Sequence, residues 1–418
     1  MHTWFYEKVK ERLIRYAKID TQSQAGSQAV PTTMQQFDLA RMLRDELESI
    51  GASEVFLDEK CCVVYAKIPS SRPEETDSAK AGRPFGLIAH MDTAPDAPGQ
   101  GVKPWALENY DGGDITLNEK ENIIMRADEF HNLRAYIGQD LILTDGTTLL
   151  GGDDKASIAS IMTFAEYILQ HPERPHPLIS LAFTPDEEVG GLARDLDLAR
   201  LGVPVAYTLD GDHLGWYQDE TFNASEAVIN IVGRSVHTGT AKGIMVNAAD
   251  IAAKLISMLP DNERPQTTEG REGFYHVVSC ESVCEHAKIR LIIRDHDSGL
   301  FAKREAFIGS CCEELNRQYG TGTVSLQILP TYRNMKEVID TVPDMIQDLR
   351  QAITDAGLTP VCEPFRGGTD GSALSHRGLP CPNLSAGYEN AHGRFEYVPV
   401  QSMEKNVEIL LALAALRS

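Results

Sequence analysis

Basic residues are scarce in this chain: 39 Lys and Arg stand against 61 Asp and Glu, a formal net charge of −22 over 418 residues. So acidic a surface repels nucleic acid and anionic lipid, both of which bind through cationic side chains that displace counterions, and neither is an expected partner. Long apolar runs are missing as well. No stretch approaches the ~18 consecutive apolar residues of a membrane span, and the opening residues, through Asp20, alternate charged and apolar positions rather than forming a secretory leader. A cytoplasmic location is the expectation. Cysteine is too sparse for a disulfide framework, with eight in the chain and four of them in the adjacent pairs Cys61-Cys62 and Cys311-Cys312. Cys280 and Cys284 have no second pair at zinc-finger spacing, so a structural zinc is not expected there.

What is present is a globular composition, 42% hydrophobic, long enough for two cores. Apolar spacing predicts helices over 4–18 and 33–50, the second burying Phe37, Ala40, Leu43, Leu47 and Ile50, capped by Thr32 or Thr33 and stopped by Gly51. Strands are expected at 54–58 and 62–67 as a hairpin, at 85–90, at 177–183 and at 205–209. The Asp145-Gly pair predicts a second hairpin joining 140–144 to 147–150, which leads into an apolar helix near 154–170. The Gly- and Pro-rich stretch from Thr93 to about Gln139 reads as a structured excursion.

From Phe222 the pattern becomes strand, helix, strand, strand, helix, strand, through 323–329. That βαββαβ order predicts a ferredoxin-like α+β domain over 222–334, inserted into an α/β domain made of 1–221 and 335–418. A helix at 343–356, a strand near 381–385 and a helix at 400–416 complete the larger domain.

Three expected strands end in acids or histidine. His90 and Asp92 stand two apart at one strand end and can point the same way, the histidine as a metal ligand and the carboxylate as the acceptor of its other ring N–H. An ordinary polar strand end would look the same. Asp153 follows two glycines that let backbone approach a metal closely, although Asp is also a good helix cap. Glu187 and Glu188 would repel unless one binds a cation and the other takes a proton; a solvated helix start is the plainer alternative. Asp210 and His392 each have a turn or loop alternative. Ligands of open α/β sheets gather beyond the carboxyl ends of strands, so these groups are expected to converge, and their nitrogen and oxygen donors suit a paired zinc site built for amide hydrolysis.

Five motifs, in order, are Ala89-His-Met-Asp-Thr-Ala-Pro-Asp96, Thr144-Asp-Gly-Thr-Thr-Leu-Leu-Gly-Gly-Asp-Asp-Lys155, Thr184-Pro-Asp-Glu-Glu-Val-Gly190, Ser235-Val-His-Thr-Gly-Thr-Ala-Lys-Gly-Ile-Met-Val-Asn247 and Arg366-Gly-Gly-Thr-Asp-Gly371. With Gly273-Phe-Tyr-His276, Ile292-Ile-Arg-Asp295 and Cys381-Pro-Asn-Leu384, they resemble the peptidase T family of two-zinc tripeptide aminopeptidases over nearly the whole chain.

The resemblance implies a zinc-peptidase-like catalytic domain, with a mixed sheet flanked by helices, and an inserted lid or dimerisation domain. It implies two Zn2+ per subunit, which Co2+ or Mn2+ would replace, with His90, Asp153 and Asp210 on one ion and Asp153, Glu188 and His392 on the other. Glu187 would be the general base and Asp92 the support of His90. A cis peptide would join Asp153 to Asp154. His237 would reach the active site of a second subunit in a homodimer and stabilise the oxyanion. Arg294 and Arg366, as guanidinium forks, would grip the terminal carboxylate of a tripeptide, and Asn247 would assist. Residues 190–196 and 385–391 depart from the family's usual wording, beside the expected substrate pocket. A related zinc amidohydrolase, cutting dipeptides, C-terminal residues or N-acyl amino acids, would use the same ligands.

Overall fold

The computed structural model describes residues 3–72 and 82–418. Its contacts divide the chain into two compact units. One comprises Met1–Asp219, Glu337–Glu363 and Thr369–Ser418, and the other Glu220–Lys336 with Pro364–Gly368. The short return of Pro364–Gly368 differs from the expected boundary at 335. Its backbone is held by the second unit: Phe222 N–H donates to the Gly367 oxygen (3.2 Å) and Phe365 N–H to the Glu220 oxygen (2.9 Å).

The larger unit is built on an eight-stranded mixed sheet in the order Ser53–Asp58, Val63–Ile68, Ile179–Thr184, Phe85–His90, Ala206–Leu209, Asn383–Leu384, Trp216–Gln218, Val361–Cys362. The three central strands Ile179–Thr184, Phe85–His90 and Ala206–Leu209 are parallel and buried at every position, as strands covered on both faces are. In their register His90 lies opposite Thr184, and Ile88 opposite Thr208. Three segments therefore leave the sheet along one edge, carrying His90 and Asp92 in the middle, Glu187 and Glu188 on one side and Asp210 on the other.

Helix Gly152–Gln170 is buried over most of its length. Helix Gln36–Ser49 buries Phe37, Leu39, Ala40, Leu43 and Leu47, but starts later than expected, with Gln35 at its cap position and no side-chain cap. Thr32 and Thr33 are used elsewhere: Thr33 Oγ1 donates to the Gln22 oxygen, and Thr32 binds Asp186. The predicted hairpin over 140–150 does not form. Leu141–Leu143 instead pairs antiparallel with Trp105–Leu107 and with Val398–Pro399, so partners distant in sequence displace the local one. Among the described residues no helix is long and apolar enough to cross a membrane.

Arg12, 2% exposed, ties three helices of this unit together. Its guanidinium donates to Glu46 Oε1 (2.8 Å), Thr163 Oγ1 (2.9 Å) and Glu166 Oε2 (2.6 Å). Replacing it by Met removes its hydrogen bonds while Glu46 keeps Arg15 (2.9 Å) and Glu166 keeps Lys8 (2.9 Å), so the loss is about 1.5–3 kcal/mol. Arg12→Met is therefore expected to lower the melting temperature by several degrees, read by calorimetry, with catalysis per folded molecule unchanged. An unaltered melt would show the network to be dispensable.

The smaller unit has the βαββαβ order expected. Its antiparallel sheet runs Phe274–Ser282, His286–Asp295, Asn223–Val232, Val324–Tyr332, with helices Ala248–Met258 and Ser298–Tyr319. Alternate residues Ala227, Ile229 and Ile231, with Ile289, Leu291 and Ile293, face the core shared with Ile251, Leu255, Ile308 and Leu315.

Candidate metal centre

The site begins at His90, 3% exposed at the end of its strand. Its Nε2 lies 2.9 Å from Asp153 Oδ1, and its Nδ1 lies 3.1 Å from the Asp92 main-chain oxygen and 3.4 Å from Asp92 Oδ1. Burial pulls the imidazole down, but hydrogen bonds to Asp153 and Asp92 hold it well above its usual value. The other Asp153 oxygen, Oδ2, lies 3.2 Å from His392 Nε2, which is also 2.9 Å from Glu188 Oε2. Hydrogen bonds to Asp153 and Glu188 lift His392 to about 11, and burial lifts Glu188 to about 7. Asp153 thus stands between two histidines, one oxygen to each, and their pull outweighs its burial to hold it below the usual carboxylate range.

Asp210 accepts a hydrogen bond from the Tyr388 hydroxyl (2.7 Å), and burial followed by the charge of Asp153 raises its pKa. One donor atom from each of His90, Glu187 and Asp210 falls within a common 4.8 Å limit, as it does for His90, Asp153 and Glu188 and for Asp153, Asp154 and Asp210. Glu187 is pushed well above the normal carboxylate range by burial and then by Asp210, with Asp370 and Glu188 adding to it.

The loops that hold these groups are over-determined. Asp92 is fully buried, and its carboxylate accepts the main-chain N–H of Glu187 (2.9 Å) and of Glu188 (3.2 Å), so it clamps the glutamate pair besides facing His90. Asp186 precedes that pair in left-handed backbone, φ 63°. It is kept there by Thr32 N–H (2.8 Å), Thr32 Oγ1 (2.6 Å) and Gln36 Nε2 (2.7 Å), all donating to its carboxylate. Glu396, 2% exposed, accepts from the N–H groups of Leu150 (2.9 Å), Gly151 (2.8 Å) and Asp153 (2.9 Å).

The glycines before Asp153 are required by close packing. A Cβ at Gly151 would stand 2.9 Å from Thr93 Cγ2, and one at Gly152 would stand 2.4 Å from Val398 Cγ2. The Asp153–Asp154 peptide is cis. Asp154 is fully buried, with Oδ2 accepting from His90 N–H (3.2 Å) and Oδ1 without a partner among the described residues.

The donor set fits divalent ions. Asp153, Asp154, Glu187, Glu188 and Asp210 crowd two imidazoles, and Glu188 Oε1 is buried with no hydrogen-bond partner among the described residues. Such a concentration of carboxylates needs cations to offset their repulsion. Sequence reasoning missed Glu396, Tyr388 and the anchoring role of Asp186. None carries a local signal, because each acts on a residue distant in the chain or through backbone N–H groups.

The remaining candidates lie in the smaller unit. His237 is exposed, and its Nδ1 accepts from Gly239 N–H (3.2 Å), which puts the ring proton on Nε2 as an available donor. Asn247 caps helix Ala248–Met258, its side chain accepting from Ala249 N–H (3.1 Å). Arg294 packs over the Tyr332 ring at 5.0 Å and pairs with no carboxylate among the described residues; burial lowers its pKa. Arg366 is committed to its own unit, donating to the Gly270 (2.7 Å) and Glu272 (2.9 Å) oxygens and to Thr268 Oγ1 (2.9 Å).

Residues 220–322 match a family model described as a peptidase dimerisation domain. Over 408 residues the chain is 44% identical to a peptidase T of Alkaliphilus oremlandii, covering 98% of each. Among solved structures it is similar to a tripeptidase from Staphylococcus aureus, with a TM-score of 0.76 at 21% identity over 98% of both chains. It is also similar to a dinuclear metal-binding peptidase of the M20 family from Bacillus subtilis, with a TM-score of 0.66 at 14% identity and the same coverage.

Proposed function

The chain belongs to the peptidase T family, and from that membership we propose that it is an aminopeptidase that removes the N-terminal residue of tripeptides at a pair of zinc ions. The observation that carries this reading is Asp153, whose two carboxylate oxygens face two different histidines. His90, Asp153 and Asp210 would hold one ion, and Asp153, Glu188 and His392 the other. The chemistry such ions supply is acidification of water and polarisation of the scissile carbonyl.

The protein's own groups do the rest. Glu187, raised by burial and by Asp210, is the group suited to take a proton from water and return it to the leaving amine. Asp92 fixes its backbone and orients His90. His237 would hydrogen-bond through its Nε2–H to the developing oxyanion in the partner subunit of a homodimer, a role supported by its exposure and by the dimerisation-domain match. Asn247, with its oxygen occupied as a cap, would bring only its amide nitrogen to the peptide. The enzyme's place would be the cytoplasm, acting on short peptides.

Arg294 is the better anchor for the substrate carboxylate, because it is half-buried and pairs with no carboxylate among the described residues, whereas Arg366 already serves three acceptors. Losing one charge-assisted hydrogen bond removes ~1.5–3 kcal/mol. Arg294→Ala is thus expected to lower kcat/KM for a tripeptide by roughly tenfold to a hundredfold while sparing its C-terminal amide. Equal losses on both substrates would remove Arg294 from carboxylate recognition. The reading as a whole is tested by di-, tri- and tetra-alanine with and without chelator. Chelator-sensitive release of alanine confined largely to the tripeptide supports it; cleavage of every length, or only of N-acylated substrates, returns the assignment to the wider amidohydrolase group.

A further inference from the structure

His392 sits on a loop closed at its base by paired main-chain bonds between Glu389 and Tyr397, 2.9 and 3.0 Å. The loop is unusual in carrying two non-glycine residues in left-handed backbone, Asn390 (φ 55°) and His392 (φ 63°). Such backbone persists only where its surroundings hold it. At one end Glu396 grips the backbone that carries Asp153. At the other end stands Glu389, 3% exposed and within the segment whose wording departs from the family's.

The Glu389 carboxylate collects donors from two separate parts of the larger unit. Tyr136 OH (2.5 Å) and His213 Nδ1 (3.0 Å) meet its Oε1, and Asn132 Nδ2 (2.8 Å) meets its Oε2. Asn132 Nδ2 also donates to Asn390 Oδ1 (2.9 Å), and Asn390 Nδ2 donates to the Phe395 oxygen (3.1 Å). His213 lies three residues beyond Asp210 and packs edge-on against Trp216 at 4.6 Å. Tyr388, the residue before Glu389, is bonded to Asp210 itself. Two consecutive residues, Tyr388 and Glu389, therefore bind the Asp210 segment at two points and carry the His392 loop directly after them.

We propose that His213 and Glu389 form a positioning pair that fixes the His392 loop relative to Asp210, so that the metal position served by His392 depends on a histidine outside the ligand set. The proposal rests on the two-metal reading above. It does not make His213 a catalytic residue, since it acts only through Glu389.

Titration calorimetry of the metal-free full chain with Zn2+ tests it, alongside the melting temperature of the metal-free protein. His213→Ala is expected to weaken one class of Zn2+ binding by about tenfold to a hundredfold, the range for partners that orient a ligand, and to leave the other unchanged. His213→Asn, whose amide nitrogen stands close to the place of Nδ1, is expected to restore most of that affinity. Tyr136→Phe removes another donor to the same Oε1 without changing shape, and should weaken the same class of binding by less. The idea is overturned if His213→Ala binds Zn2+ as the unaltered protein does, if it weakens all binding equally, or if His213→Asn rescues nothing. The unaltered protein's stoichiometry reports separately on the two-metal reading, because the positioning pair is judged only by differences between variants.

Discussion

Glu187→Gln is expected to keep its metal and lose its turnover. The amide fills the same space and leaves Asp92 bonded to the backbone N–H groups of residues 187 and 188, so the loop and the neighbouring Glu188 stay in place. What it cannot do is carry a proton. In the native protein burial, Asp210, Asp370 and Glu188 together push the Glu187 carboxyl far above the usual range. A carboxyl so placed holds a proton more readily than an exposed glutamate does. General acid–base groups contribute about a hundred- to ten-thousand-fold, so kcat should fall by that much, with KM for the tripeptide changing little. Elemental analysis and steady-state kinetics on one preparation decide it. Parallel loss of metal and rate would make Glu187 a ligand, a reading its proximity to His90 and Asp210 makes worth testing.

Asp153→Ala should abolish activity by a different route. Among the described residues its carboxylate alone lies within hydrogen-bond distance of both His90 and His392, one oxygen to each, so its removal would take a ligand from each proposed ion at once. Zn2+ binding should weaken at both positions. A change confined to one would show that Asp153 does not bridge. Glu188→Gln provides the contrast, since Glu188 Oε2 pairs with His392 at 2.9 Å and would serve one of the two proposed ions, so it should affect one position only. In both variants the fold should hold, because the helix following Asp153 is anchored by its own apolar packing over Ile158, Ile161, Phe164 and Ile168.

The convergence at the sheet edge was readable in the chain because it depends on short-range facts. His90, Glu187 and Asp210 each follow an apolar run of strand length, and adjacent parallel strands bring such ends together. The smaller unit was readable for a similar reason, its period-two and helical patterns alternating cleanly. Cues that compete with tertiary partners misled. Asp145-Gly is a strong hairpin signal, yet Leu141–Leu143 finds better partners in Trp105–Leu107 and Val398–Pro399. Thr32 looked like a helix cap, yet the buried Asp186 claims both its N–H and its hydroxyl. Glu396 was invisible because its partners are backbone N–H groups more than 240 residues earlier in the chain, which leave no pattern in sequence. The side-chain bonds of Tyr388 to Asp210 and of His213 to Glu389 also join residues distant in the chain and leave no local pattern.

The paired centre is tested most directly by counting zinc per chain after exchange of the purified full-length protein into metal-free buffer. Two zinc ions per chain, falling in step with activity as chelator is added, is the result expected from the way Asp153 faces both histidines. A single tightly held ion supporting full activity, or activity that persists with none, would contradict it.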